Sequence, residues 1–263
     1  MLEGFEDILG RALMRALGRH FTREVVVPLS GDIIEFCSRG GKRVRPLLYL
    51  EGRRILSQHG YGPAVSRRDL SAAIGLELLH AFILIHDDLI DRSQVRRGRP
   101  AMHKMIERRV SALADRDRHG RDIALVIGDI LFAFAQRSVL RSGLDNAPEA
   151  AALILDYMVD TGVGEIADII YGTHDVSKVG MDDIEWMYWL KTSRYTIECP
   201  LVLAAAVSGL DESYHAEIAR IVAPAGMAFQ IENDLKSFES FEISDSHVPD
   251  DILDGKKTAV VRM

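Results

Sequence analysis

Cysteine is almost missing from this sequence. Its 263 residues include two, Cys37 and Cys199, far apart and outside any CxxC or Cys/His pattern, so a disulfide framework and a zinc site are both excluded. No uncharged apolar run reaches the ~18 residues that a membrane-spanning helix needs, and the N-terminus has no apolar core leading to a small-residue cleavage site. A cytoplasmic protein is expected. Excess positive charge is lacking too: a net charge of -7 and a pI near 5.7 argue against general nucleic-acid binding. Alternating β-branched runs are scarce, and no linker rich in Pro, Gly or Ser divides the chain, so the expectation is all-α and one domain over residues 1–263.

What is present is helical periodicity, with Leu, Ile, Ala and Met recurring every three or four residues. Expected breaks are Arg39-Gly40-Gly41, Gly60-Tyr61-Gly62-Pro63, Arg97-Gly98-Arg99-Pro100, His119-Gly120, Asn146-Ala147-Pro148, Gly172-Thr173 and Ser208-Gly209. The polar stretch from Ser237 to Asp254 reads as a loop or lid. The N-terminal segment sets Phe5, Ile8, Leu9, Leu13, Leu17 and Phe21 on one side and Arg11, Arg15, Arg19 and Arg23 on another. Such a helix either packs on the core with a solvated charged face or touches an anionic membrane surface or a lipid substrate.

The chemistry concentrates in His86-Asp87-Asp88-Leu89-Ile90-Asp91, at the end of an apolar run. On a helix, Asp87 and Asp91 project from one face a turn apart, with Asp88 beside them. Three carboxylates there repel one another unless a cation compensates. Hard oxygen ligands suit Mg²⁺, which completes its shell with water and substrate phosphate oxygens. Five residues on, Arg96 and Arg97 supply planar, permanently charged forks for phosphate. A second basic element, Gly40-Gly41-Lys42-Arg43-Val44-Arg45-Pro46, lets Lys42 and Arg45 grip a separate anion. It is not a P-loop, because the GK[ST] ending and a preceding strand are missing.

Taken in order, Gly40–Pro46, Glu77-Leu78-Leu79-His80, Asp87–Asp91, Arg96-Arg97-Gly98, Gly128-Asp129, Lys191-Thr192, Phe229-Gln230 and Gly255-Lys256-Lys257-Thr258 resemble the trans-isoprenyl diphosphate synthases, or polyprenyl synthetases. The resemblance implies an antiparallel helical bundle around a deep central cavity, usually a homodimer. It implies that Asp87, Asp88 and Asp91 bind Mg²⁺ and an allylic diphosphate, assisted by Arg96 and Lys191. Lys42, Arg45, His80 and Arg97 would anchor the acceptor's phosphate, and Thr192 and Gln230 would lie near the reacting end of the chain. Ionisation would come first, because metal and fixed cations stabilise the charge developing on the leaving oxygen.

The sequence also departs from that family. Its second aspartate-rich motif is reduced to Asn233-Asp234-Leu235-Lys236-Ser237, where Asp234 alone remains as a metal ligand. Glu165 stands where the family has glutamine, Ser246 lies near the place of a lid lysine, and the chain ends soon after Lys257-Thr258 without the family's final helices. These changes predict that ionisation is kept while the acceptor has changed, and the short length and lone first motif resemble unusual members of that family whose acceptor is a phosphate-bearing prenylated lipid. Phe82, five residues before Asp87, stands where the resemblance implies that large side chains shorten the allylic pocket, which predicts a short donor, ten carbons rather than twenty. Three rivals stand beside this reading: an ordinary chain-elongating synthase, a class I terpene cyclase suggested by the Asn233-Asp234 start, and a non-catalytic partner subunit.

Overall fold

The computed structural model describes residues 4–112, 114–242 and 255–262, with side chains omitted for 237–242 and 261–262. The chain groups into two compact units, Met1–Leu47 with Ser66–Gly143, and Leu48–Val65 with Leu144–Met263. Each unit is assembled from discontinuous stretches.

The first unit contains α1 (Phe5–Leu17), α2 (Val27–Ser38), the start of α3 (Val44–Gln58), α4 (Arg67–Ile90), a short hairpin of β1 (Val95–Arg96) and β2 (Arg99–Pro100), α5 (Met102–Arg109) and α6 (Arg116–Leu140). Helix α4 begins at a capping box: Ser66 Oγ accepts from the Arg68 N–H, and the Ser66 N–H donates to Asp69. Losing such a cap costs about 1 kcal/mol. Residues 72–79 are buried on every side of α4, as in a helix running through a core. Both α4 and α6 are long and apolar enough to cross a bilayer by length and composition, but 61% of the α4 window is buried within the protein. On α1, Phe5, Leu9, Leu13 and Leu17 are buried. The packing alternative therefore describes this helix: its apolar face is committed to the core, and Arg11, Arg15 and Arg19 are left exposed.

The second unit holds the rest of α3, α7 (Ala147–Gly172), a 3₁₀ turn (Val176–Lys178), α8 (Met181–Tyr188), a π-helical segment (Trp189–Glu198), α9 (Cys199–Val207), α10 (Glu212–Glu242) and a last turn, α11 (Ala259–Arg262). Helix α8 runs through the π segment into α9 without a break. The wide turns are held by side chains. Trp189 Nε1 donates to Glu198 at 2.9 Å, while Arg194 lies 4.7 Å from the Tyr157 ring and 4.9 Å from the Trp189 ring and pairs with Asp160. Glu198, buried beside them, has its carboxyl pushed up by burial. π-Helical turns are rare and often mark functional sites; this one carries Lys191 and Thr192.

Three expectations about breaks change. The Arg97-Gly98 break is a two-residue hairpin turn with φ of 53° and 70°, pairing Val95 with Pro100 and Arg96 with Arg99, as a primed turn requires. The stretch expected as a loop or lid starts inside α10, which continues to Glu242; residues 243–254, including Ser246, lie outside the described residues. His119-Gly120 is no break but the second turn of α6. A Cβ on Gly120 would sit 2.7 Å from the His103 carbonyl oxygen and 3.2 Å from the Glu107 nitrogen, so this glycine lets α5 approach. By propensity alone Gly120→Ala would stabilise the helix by about 1 kcal/mol. Because the methyl meets backbone, the variant is expected to lose about 1–3 kcal/mol. Chemical denaturation checks this, and an unchanged or higher midpoint would mean that α5 yields.

Candidate active site

The first unit brings most of the expected anion-binding residues together. Asp87 and Asp88 lie on the last turns of α4, and Asp91 caps it, its N–H donating to the Asp87 carbonyl at 2.8 Å. The hairpin turns Arg96 back onto the acids: Nε donates to Asp88 Oδ1 at 2.8 Å and Nη2 to Asp87 Oδ2 at 3.0 Å. Asp88 is 1% exposed, and its Oδ2 has no hydrogen-bond partner. Burial pushes its carboxyl up to about 6, partly opposed by Arg96 and reinforced by the charges of Asp87 and Asp91.

Arg97, expected on the acceptor's phosphate, is turned onto the loop between α2 and α3, where Nη1 donates to the Arg39 and Gly40 carbonyls at 2.8 and 2.7 Å. Gly41 admits it, since a Cβ there would sit 3.0 Å from Cζ. In the same loop Arg43, with φ of 47°, is buried against Glu77 of α4 and donates to the Cys37 carbonyl. This pair, to which the sequence reading gave no role, fixes the loop between Lys42, which is exposed, and Arg45, which is buried. His80 faces the cluster. Burial drives its pKa well down, and the guanidinium groups of Arg45, Arg97, Arg96 and Arg43 drive it further, so the imidazole is neutral at physiological pH. Four guanidiniums near a neutral histidine concentrate positive charge of the kind that can hold an anion. Phe82 packs between His86 and Phe132, with ring centroids 4.5 and 5.2 Å away.

The second unit holds the other expected residues. Lys191 Nζ lies 2.8 Å from Glu165 Oε2 and 2.6 Å from Asp168 Oδ2. Thr192 Oγ1 donates to Gln230 Oε1 at 2.8 Å, and Gln230 Nε2 donates to Asp234 Oδ1 at 2.7 Å. Asp234 Oδ2 accepts from the Tyr188 hydroxyl, which itself accepts from the Ala259 N–H. Burial, followed by the Asp234 hydrogen bond, raises the Tyr188 pKa, so the phenol stays protonated and donates. Asp234 was expected to be a metal ligand. Its carboxylate is 4% exposed and is hydrogen-bonded at both oxygens, so it anchors the segment that leads into α11. Beside it Asn233 is exposed and Lys236 pairs with Glu232. Asp168 and Tyr188 were missed; the spacing of Asp168 three residues after Glu165 on a helix was the available signal for the first.

The residues fit magnesium at the first motif only in part. Asp87 and Asp91 stand a turn apart, and Asp88 keeps a buried oxygen without a partner. Among the described residues, however, no three His, Cys, Asp or Glu side chains converge into a ready cage. That suits a cation that takes few protein carboxylates and fills its shell from substrate and water.

The sequence profile described as polyprenyl synthetase matches residues 29–263. The chain belongs to this family. A short chain isoprenyl diphosphate synthase of Methanothermobacter thermautotrophicus is 31% identical over 242 residues, covering 91% of this chain and 67% of that protein. A farnesyl diphosphate synthase of Geobacillus stearothermophilus is 28% identical over 248 residues, 92% of this chain and 77% of its own. A geranylgeranyl pyrophosphate synthase from Corynebacterium glutamicum, solved with isoprenyl diphosphate and magnesium, superposes with a TM-score of 0.83 at 27% identity over 100% of this chain and 76% of that one. The polyprenyl synthetase fold is all-helical, and the protein is a transferase of alkyl groups.

The buried Asp88 gives a pH test. With its native pKa raised from 3.8 to about 6, the folded chain holds a proton that the unfolded chain releases, so this group's contribution to stability falls as pH rises from about 4 to about 6. Asp88→Asn has no such proton. Metal-free Asp88→Asn protein is expected to gain stability relative to the parent across that window, measured by urea denaturation at each pH. A stability difference that is flat with pH would show that Asp88 is not raised.

Proposed function

We propose that the protein is a cytosolic, magnesium-dependent prenyltransferase. It ionises a short allylic diphosphate, geranyl diphosphate foremost, and couples the prenyl group to a phosphate-bearing prenylated acceptor. The acceptor favoured is farnesyl-phosphoglycerate, as for the moenomycin-pathway prenyltransferase of antibiotic biosynthesis. The observation that carries this reading is the inequality of the two aspartate motifs: Asp87, Asp88 and Arg96 meet in one charged cluster, while Asp234 is buried and hydrogen-bonded at both oxygens by Tyr188 and Gln230. Two buried free thiols, Cys37 and Cys199, suit a reducing compartment.

In this mechanism Asp87, Asp88 and Asp91 would hold magnesium, which would supply positive charge to the diphosphate oxygens and so a better leaving group. Arg96 orients the two acids and offers its remaining charge to the leaving oxygen. Arg45, Lys42 and the N–H groups of Arg97 not given to the Arg39 and Gly40 carbonyls hold the acceptor's phosphate, with neutral His80 as a hydrogen-bonding partner that adds no charge. Phe82, wedged between His86 and Phe132, limits donor length. Thr192 and Gln230 present a hydroxyl and an amide dipole near the reacting carbons. The acceptor's alkene attacks the allylic cation and a proton leaves to the released pyrophosphate, in a setting that must exclude water.

The test is mass spectrometry of products from geranyl diphosphate and Mg²⁺ with isopentenyl diphosphate or farnesyl-phosphoglycerate in separate reactions. Coupling confined to the phosphoglycerate is expected, with Asp87→Ala slowing kcat by about 100-fold and Phe82→Ala extending the accepted donors. A lengthened diphosphate would return the chain to the elongating synthases, a hydrocarbon without acceptor would favour the cyclase, and an inert chain the partner subunit.

The same reading includes a homodimer. On α7, Leu155, Val159, Val163, Ile166 and Ile170 are 40–66% exposed, at spacings that place them on one face. We assign this stripe to a second copy. Light scattering should give a dimer for the parent and a monomer for Val159→Glu/Ile166→Glu; a monomeric parent would remove this part of the reading.

A further inference from the structure

The cluster around Lys191 contains a residue with no place in the mechanism above. Glu165 and Asp168 are three apart on α7 and so share a face. A Cβ on Gly164 would lie 2.5 Å from the Lys191 nitrogen and 2.8 Å from its Cα, so this glycine lets the π segment press its backbone onto α7. The Lys191 side chain therefore starts beside the two acids, and its ammonium ends within 2.8 Å of one and 2.6 Å of the other. Two carboxylates against one ammonium leave a local charge of about -1. The partners differ: the Asp168 side chain is 10% exposed, whereas those of Glu165 and Lys191 are each 21% exposed.

We propose that Glu165 is a specificity-determining residue: by adding a second negative charge to Lys191, it withdraws that lysine from diphosphate and weakens the hold of this chain on pyrophosphate groups. A diphosphate approaching Lys191 meets a cation already hydrogen-bonded to two anions, and must either displace Glu165 or accept its repulsion. Glutamine at this position would keep an oxygen for the ammonium without the charge, leaving Asp168 as the single counter-ion. The recognition of diphosphate then falls on the first unit's acids and arginines. This inference rests on the reading of the protein as a diphosphate-using transferase.

Calorimetric titration of inorganic pyrophosphate with Mg²⁺ into the parent, Glu165→Gln, Lys191→Met and the double variant tests it. Glu165→Gln should bind about fivefold to tenfold more tightly than the parent, and the gain should vanish when Lys191 is already methionine. Equal or weaker binding by Glu165→Gln overturns the proposal, as does a gain that persists without Lys191. Pyrophosphate binding all four proteins equally would sink the role of Glu165 and leave the diphosphate reading intact, whereas binding to none would sink both. Circular dichroism of each variant confirms that a changed affinity does not come from a lost fold.

Discussion

Everything in the first unit answers to one constraint: carboxylates at the end of a buried apolar helix need a cation. Helix α4 is buried on all sides through residues 72–79 because it runs through the core, and the same burial reaches Asp88. Arg96 is the cation the protein itself supplies, and the hairpin exists at the spacing that returns it to Asp87 and Asp88. Removing one member of such a pair leaves a buried charge at a cost of about 3–5 kcal/mol. Even so, Asp88 Oδ2 remains without a partner and its carboxyl stays raised. The structure compensates these acids incompletely, which is the condition under which a divalent ion and a phosphate ligand gain most by binding.

The basic loop obeys the complementary rule. Arg43 is held by Glu77 and by the Cys37 carbonyl, Arg39 by Glu35 and the Pro100 carbonyl, and Arg97 by loop carbonyls. These bonds convert a string of like charges, which would repel in an extended chain, into a shaped surface around a neutral His80. In the second unit the residues carried over from the family's motifs are paired with one another and with neighbouring acids. Asp234 serves Tyr188 and Gln230, and Lys191 serves Glu165 and Asp168. The first motif thus keeps one buried carboxylate oxygen, Asp88 Oδ2, without a hydrogen bond, whereas both oxygens of Asp234 accept one.

Family and helical class were legible in the sequence because they rest on local signals. Helical periodicity depends on residues three and four apart. The Asp87–Asp91 string is a one-turn relation, and Lys42 to Arg45 and Arg96-Arg97 are runs within a loop. The breaks at Gly40, Gly60, Asn146 and Ser208 also followed, since glycine and proline act on their own backbone. Where a glycine serves packing instead, the local rule fails. Gly120 lies inside a helix because α5 needs the room, and the π-helical turns after Tyr188 depend on Tyr157 and Asp160 of another helix.

The roles of single side chains divided along the same line. The sequence alone determined which residues carry charge and how they are strung, which was enough for the family, the all-helical class and the first aspartate motif. Only the tertiary structure decided which charges remain available to a ligand. Asp234, read as a metal ligand, is hydrogen-bonded by Tyr188, 46 residues away, and Lys191, read as a phosphate ligand, is paired with Glu165 and Asp168, and neither pairing is visible in the sequence. An ionisable group's function depends on its partners and its exposure to water, and both are set by residues distant along the chain that folding brings within hydrogen-bonding distance.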